Sequence, residues 1–543
     1  MIVVKTRKRD IDKIGLKGGR ETSSLRPRYR ELAPPCVNAC PSGIDIRKYI
    51  TTIAQSEGYK RSYEDSCKLA WEILVDKNPF PAVTGRVCPH FCEKECNRQG
   101  KDEAIAINSI EKFIGDFGIE NNLCHKRLYN DTFPEKVAII GGGPSGLSCA
   151  YQLSRRGYKT TIFEEKEKLG GMLRYGIPRY RLDEDIIDAE IQRILDLGIE
   201  VYCNKKVSLK ELEGKYQGIY VAIGGQRGVS LNIKGEENVI SGVDFLNKIN
   251  SSKEISLGNN VIVIGGGNVA IDSARSAKRL KANVKLLYRR TKDQMPAIPE
   301  EVEQAEKEGV RIEFLVSPLD IIKDGIRCIR MELTEPDESG RPKPVPIPGS
   351  EFNIEADTII ASLSQIPDFT GLEELNDNGW ICVDERQKTK RENVFAGGDV
   401  TNKLGFVTDA IGMGTRAALA IDEQLREKEP VKVLKPTLIK YTNMNLNYYE
   451  NLPRSPALSQ ESGVRSQESD VLSFQLNQGD VIYETKRCMS CGSCFDCDNC
   501  YILCSDSAVK RLPKGQHYEF ILSNCQGCKK CAEECPCGYI EMI

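Results

Sequence analysis

The chain has 543 residues, with 76 basic and 78 acidic side chains, a net charge of -2 at pH 7, 22 cysteines and only 3 histidines. Its length suggests several domains, and its charge balance leaves no global field for nucleic acid or an acidic surface. No run of about 18 apolar residues is present, so no membrane span is expected, and a disulfide scaffold is excluded because such scaffolds are small and secreted.

Residues 1–35, beginning MIVVKTRKRDIDKIGLKGGR, read as a basic arm without an apolar h-region. No secretory signal is expected there, and Asp10 and Asp12 argue against a transit peptide. The arm is a solvated tail or a grip on a partner subunit. A helical iron–sulfur domain is expected over 36–133. PPCVNACPSGID holds Cys36 and Cys40, and GRVCPHFCEKECNR holds Cys88, Cys92 and Cys96. Clustered thiols in a cytoplasmic-looking chain point to metal. Five cysteines suffice for one cluster, and for two only with outside ligands. Glu111, in SIEKFIGDF, is a candidate oxygen ligand, although pattern alone favours a helix-surface carboxylate. Cys67, Cys124, Cys149, Cys203, Cys328 and Cys382 stand alone and read as core or surface residues.

A nucleotide-binding domain is expected in two parts, 134–257 and 356–430, around a second one at 258–355. In EKVAIIGGGPSGLSCAYQLSRRGYKTTIFEE a strand over Val137–Ile140 runs into Gly141-x-Gly143-x-x-Gly146, with Pro144 and Ser145 in the loop and an amphipathic helix after it. A second strand, Thr160–Phe163, ends in Glu164. This is the full dinucleotide fingerprint. The glycines let the backbone approach a pyrophosphate at the helix N-terminus. Glu164 accepts from a ribose and repels a 2′-phosphate, so this loop is expected to take FAD or NAD.

The segment NNVIVIGGGNVAIDSARSAKRLKANVKLLYRR repeats the design. A strand over Val261–Ile264 leads to Gly265-x-Gly267-x-x-Ala270, with Asn268 and Val269 opening the helix. The next strand, Val284–Tyr288, ends in Arg289 and Arg290, which suit a 2′-phosphate. This loop is expected to take NADPH, with Arg275 on the loop helix as an accessory or a surface residue. Further on, VFAGGDVTNKLGFVTDAIGMG ends a strand at Gly398 and Asp399 and starts a helix near Thr408 and Ala410. An acid at such a turn can hold a ribityl chain, and the helix start can face a flavin. No general base is needed for hydride transfer between nicotinamide and flavin, so no catalytic side chain is assigned.

Residues 431–487 read as a linker of low complexity, with SQES at 459–462 and again at 466–469. The last unit, 488–543, carries eleven cysteines. Cys494, Cys497, Cys500 and Cys504 follow C-x2-C-x2-C-x3-C, and Cys525, Cys528, Cys531 and Cys535 repeat it before Pro536. This is the spacing of a bacterial ferredoxin with two [4Fe–4S] clusters, in which the fourth cysteine of each run ligates the other cluster. One cluster is expected on Cys494, Cys497, Cys500 and Cys535, and the other on Cys525, Cys528, Cys531 and Cys504. Zinc also takes four cysteines, but zinc ribbons rarely need two interlocked runs. Cys488, Cys491 and Cys537 are left over. Cys488 and Cys491 either slide the first register by one step or serve another metal or a cluster shared with a partner.

From about residue 36 to 430 the chain resembles the small subunit of glutamate synthase. It is similar, too, to the matching part of dihydropyrimidine dehydrogenase and to the large subunit of NADH-dependent ferredoxin:NADP oxidoreductase. The shared phrases are NPFPAVTGRVCPHFCEKECN, AIIGGGPSGLSCA, GGMLRYGIPRYRL, VIGGGNVAIDSAR, YRRTKDQMPA and VFAGGDV. The resemblance implies a multidomain chain: a helical iron–sulfur domain, two Rossmann-like α/β domains for FAD and NADPH, and here an appended α+β ferredoxin-like domain. It implies FAD on Gly141, Gly143, Gly146, Glu164, Gly171, Leu173, Gly398 and Asp399, and NADPH on Gly267, Asn268, Arg289 and Arg290. It also matches Cys40, Cys88 and Cys92 to three ligands of one cluster, with Glu111 where the fourth stands in some relatives. The relatives carry a CxxC upstream of Cys36, where this chain reads RPRYRELAPP, so Cys36 and Cys96 lack two partners.

These features lead to an NADPH-dependent flavin and iron–sulfur oxidoreductase subunit, cytoplasmic, exchanging electrons with ferredoxin or partner subunits. Relatives place such a subunit in electron-bifurcating or transhydrogenase complexes. The alternatives are a glutamate synthase small subunit and a scaffold that wires two partners without nucleotide chemistry. The C-terminal cysteines count against the first, and the intact glycine loops against the second.

Overall fold

The computed structural model describes residues 22–336, 340–401, 404–429, 436–455 and 477–543. The start of the basic arm and both SQES segments lie outside these residues. Pro27–Tyr29 forms a strand antiparallel to Ile540–Met542, so the first described strand and the last one of the chain share one small sheet.

Helices build the next segment. Tyr63–Val75 starts at Ser62, whose hydroxyl accepts from the Asp65 N–H at 3.0 Å. Glu64 and Asp65 favour that N-terminus electrostatically. Cys67, Ala70, Trp71 and Leu74, spaced three and four apart, are buried on one face. They pack against Ile46, Tyr49, Ile50 and Ile53 from one helix and Ile107, Ile110 and Ile114 from another. Helix Ile107–Glu120 lies close on Pro81–Val87 because Gly115 has no side chain; a Cβ there would stand 2.2 Å from the Ala82 nitrogen.

Two parallel five-stranded sheets follow. The first has Lys136–Ile140 at its centre, with Lys159–Phe163 and Glu200–Tyr202 on one side and Gly218–Val221 and Val394–Ala396 on the other. The second has the order Arg311–Phe314, Asn283–Tyr288, Asn260–Ile264, Thr358–Ala361 and Ile240–Ser241. Two of its strands, Ile240–Ser241 and Thr358–Ala361, lie outside the expected span 258–355. The reason is non-local. TIIA at 358–361 is a short apolar run that either sheet could bury, and pairing with Asn260–Ile264 decides which one does. A four-stranded antiparallel sheet, Val316–Ile322, Gly325–Pro336, Pro342–Pro346 and Phe352–Glu355, is inserted between the last two strands of this unit.

The segment expected as a linker is packed where it is described. Gln478–Lys486 is a helix capped by Asn477, and Val481, Glu484 and Arg487 are fully buried. Beyond it, short helices Asn499–Ile502 and Lys530–Glu533 flank an antiparallel strand pair, Val509–Arg511 with Tyr518–Phe520. Among the described residues no helix is long and apolar enough to cross a membrane.

Candidate functional site

The first glycine loop begins where strand Lys136–Ile140 ends. Gly141 has φ +105°, and a Cβ on it would meet the Ala222 carbonyl at 2.4 Å. A Cβ on Gly146 would stand 2.0 Å from the Gly141 oxygen, so helix Pro144–Arg155 can enter this close to the sheet only without one. Glu164 is buried at the end of the neighbouring strand. Its carboxylate accepts from the Gly142 N–H at 2.7 Å and the Lys166 N–H at 2.8 Å, while burial pushes its pKa up. Asp399 accepts from the Gly405 N–H at 2.9 Å, and burial raises its pKa as well. Ser145 hydrogen-bonds the Tyr220 hydroxyl at 2.7 Å.

Gly141, Gly143, Pro144, Ser145, Glu164, Gly171, Gly398, Asp399 and Ala410 line one cavity of about 320 Å³, which Asn268, Val269 and Asp272 close from the second unit. The volume is that of a small-molecule site. Leu173 and Thr408 do not line it. Leu173 packs in the core beneath the loop, and the Thr408 hydroxyl lies against the Cys88 thiol.

The second loop is built the same way. Gly265 has φ +144°, and a Cβ on it would meet the Ser362 carbonyl at 2.2 Å, whereas nothing stands near Gly267. The Asn268 Oδ1 accepts from the Ile298 N–H at 2.9 Å. The expected arginine pair divides. Arg289 is exposed, while Arg290 is 6% exposed and its Nε donates to the Pro342 carbonyl at 3.0 Å. From the inserted sheet comes Arg341, whose guanidinium donates to the Tyr288 hydroxyl at 3.1 Å and also to the Gln294 carbonyl. Nothing local in SGRPKPVP marks it. Arg275, the accessory candidate, is taken up by Glu308 at 2.7 Å and by Glu301. Between the two units Arg181 grips both oxygens of Asp272 at 2.8 Å.

Beside the first loop, Cys40, Cys88, Cys92 and Glu111 converge. Glu111 is 6% exposed, not on the helix surface. Its Oε1 accepts from Thr84 Oγ1 at 2.6 Å and from Asn78 Nδ2 at 2.9 Å. Burial pushes its carboxyl up to about 7, the Cys40 thiol up to about 11 and the Cys88 thiol up to about 12, with the Glu111 charge adding to both. Anionic thiolates are therefore disfavoured there until a cation arrives, and this donor set suits an iron–sulfur cluster.

Further on, Cys494, Cys497, Cys500 and Cys535 line one chamber with Cys537, while Cys504, Cys525 and Cys528 are the neighbours of Cys531. Cys494, Asp496 and His517 lie within 4.8 Å of one another, and His517 Nδ1 is 2.9 Å from Asp496. Cys67, Cys149 and Cys328 are buried singly, Cys203 is half-buried, and Cys124 and Cys382 are exposed.

Residues 135–414 match the model of the pyridine nucleotide-disulphide oxidoreductases, and residues 30–123 match that of dihydropyrimidine dehydrogenase domain II, 4Fe-4S cluster. The chain belongs to the pyridine nucleotide-disulphide oxidoreductase family. It is 39% identical over 436 residues to the beta subunit of the NADP(+)-dependent formate dehydrogenase of Moorella thermoacetica, covering 73% of this chain and 60% of that one. It is 32% identical over 535 residues to the beta subunit of the NADPH-Fe(3+) oxidoreductase of Geobacter sulfurreducens, covering 88% and 78%. The small chain of the NADPH glutamate synthase of Azospirillum brasilense is 31% identical over 433 residues, covering 74% and 88%. The chain thus carries a pyridine nucleotide-disulphide oxidoreductase domain over 135–414, preceded over 30–123 by a 4Fe-4S cluster domain.

Proposed function

We propose that the chain is the NADPH-linked subunit of a heteromeric cytoplasmic redox complex, moving electrons between NADP(H) and ferredoxin or a partner subunit. The observation that carries this is the cavity that the two units share, with Gly143 and Ser145 of the first glycine loop on one wall and Asn268 and Val269, the helix start after the second loop, on the other. FAD bound there supplies the conversion between the electron pair of a hydride and the single electrons that iron–sulfur clusters take.

The chain's own residues bind and orient. The loop Gly141–Gly146 presents backbone N–H groups to the pyrophosphate, and Glu164 accepts from the ribose. Asp399 holds the ribityl chain, and the helix start at Val407 and Ala410 faces the flavin. Gly265, Gly267, Asn268 and Val269 receive the second dinucleotide. Arg289 and Arg341 take its 2′-phosphate, and Arg290 braces the hairpin that delivers Arg341. Cys40, Cys88, Cys92 and Glu111 hold the cluster next to the flavin. Cys494, Cys497, Cys500 and Cys535 hold a second, and Cys504, Cys525, Cys528 and Cys531 a third, in a bacterial-ferredoxin-like unit.

An anaerobic titration with NADPH and separately with NADH tests this. Flavin bleaching by NADPH at concentrations where NADH leaves it oxidised is the expected result. No bleaching by either nucleotide would sink hydride entry through this chain. The glutamate synthase reading is favoured by the 88% coverage of the Azospirillum small chain. It predicts stimulated glutamate formation when a glutamate synthase large subunit is added.

A further inference from the structure

Cys488 and Cys491 continue the two-residue spacing of Cys494, Cys497 and Cys500, yet the fold sends them elsewhere. They line a buried cavity together with Cys36 and Cys96, walled by Ile46, Ile50, Ile105 and Ile107. We propose that Cys36, Cys96, Cys488 and Cys491 hold a further [4Fe–4S] cluster, assembled from two distant parts of the chain.

Thiol arithmetic agrees with this. Cys40, Cys88 and Cys92 with Glu111 leave Cys36 and Cys96 two ligands short. The two C-terminal runs leave Cys488 and Cys491 over. The cavity closes both gaps at once. All four side chains line that one cavity, so the leftover ligands of both segments meet in one place. One buried thiol is an ordinary core residue, whereas four that converge on one cavity, from one CxxC pair and two single positions, form a cluster's ligand set.

Spacing favours a cubane over zinc. A tetrahedral zinc holds its sulfurs at about 2.3 Å from the metal, so they crowd together. Among the described residues the trio whose ligand atoms all lie within 4.8 Å is Cys494, Asp496 and His517, and no three of these four sulfurs meet that limit.

The positions are also fixed. Arg487, just before Cys488, is fully buried and donates to the Glu103 carbonyl at 2.7 Å. The Arg487 carbonyl accepts from Arg98 at 2.9 Å, two residues after Cys96. The Cys491 carbonyl accepts from Arg47 at 3.3 Å. Arg47 and Arg98 place positive charge beside Cys488, which offsets the negative charge of a thiolate-bound cluster.

Such a cluster is a one-electron relay. Cys92 and Cys96 are one helical turn apart in sequence, and Cys491 and Cys494 are three residues apart. The relay therefore takes one electron from the Cys40–Cys88–Cys92 site and gives one to the Cys494 site, or the reverse, with no bond made and no proton moved. It rests on the proposed function for the identity of these neighbours but not for its own existence.

The test is an anaerobic count of iron, acid-labile sulfide and zinc on the full chain, with EPR of the reduced protein. It includes Cys488→Ser/Cys491→Ser, Cys36→Ser/Cys96→Ser and the variant carrying all four changes. The expected result is loss of one cubane's iron and sulfide, and of the same EPR signal, in both double variants, with no greater loss when they are combined. Full iron in either double variant, additive loss in the combined one, or zinc in place of the missing iron overturns the proposal. Should the variants fail to fold, the unchanged reconstituted protein decides: four cubanes' iron and sulfide support it, and three overturn it. Flavin that NADPH cannot bleach, with these counts intact, would instead remove the proposed function and leave the site.

Discussion

Arg487 Nη1 stands 2.5 Å from Glu484 Oε1, and neither side chain has any solvent exposure. The same carboxylate oxygen accepts from the Ala106 N–H at 2.8 Å, and Arg487 also donates to the Leu452 carbonyl at 3.1 Å. This pair pins the residue before Cys488 to the loop that follows Cys96. Removing one partner leaves a buried charge uncompensated, at a cost of about 3–5 kcal/mol. Arg487→Met is therefore expected to melt at lower temperature and to be cut first by protease within the C-terminal segment. An unchanged melting curve with unchanged proteolysis would mean the pair does not anchor that segment.

Nucleotide choice is expected to follow Arg289 and Arg341 more than Arg290. Charge-assisted hydrogen bonds to a 2′-phosphate are worth about 1.5–3 kcal/mol each, or about 10- to 100-fold in affinity. Arg289→Ala and Arg341→Ala should each weaken NADPH by that factor and leave NADH unaffected. Arg290→Ala should act through stability, because its guanidinium holds the Pro342 carbonyl. Stopped-flow flavin reduction at varied nucleotide concentration checks all three, and equal loss with NADH would refute the assignment.

The FAD loop makes a sharper prediction. A Cβ at position 146 would overlap the Gly141 carbonyl oxygen, and the helix cannot back away without losing its seat on the sheet. Gly146→Val is expected to yield protein without bound flavin, seen as loss of visible absorbance at the flavin band. The iron–sulfur domain is separate in the chain and should keep its iron. Full flavin occupancy in this variant would show that the helix has room that the close approach denies.

Local motifs were the legible part. The expected strands Val137–Ile140 and Val261–Ile264 differ from the observed Lys136–Ile140 and Asn260–Ile264 by one residue, because glycine loops punctuate the chain where the geometry demands it. Arg341 and the cavity shared by Cys36 and Cys491 were not legible, since both depend on segments far apart in sequence. The burial of Glu111 had a signal. It lies four residues after Ile107 and three before Ile114, on the face that those residues bury. An acid on such a stripe needs a partner.

That partner is the basis of the last prediction. Thr84 and Asn78 both bond Glu111 Oε1, so Oε2 is the oxygen that would serve the proposed cluster with Cys40, Cys88 and Cys92. Removing an outer hydrogen bond to a metal ligand typically costs about 10- to 100-fold in metal affinity. Thr84→Val should therefore release iron from one cluster to a chelator at correspondingly lower concentration. Glu111→Ala should lose that cluster's EPR signal. Glu111→Gln keeps an oxygen donor but removes a negative charge, so the cluster should persist at a higher reduction potential, because the reduced form is then less disfavoured. Spectroelectrochemistry separates these outcomes. An unchanged potential in Glu111→Gln, together with an unchanged signal in Glu111→Ala, would remove Glu111 from the ligand set.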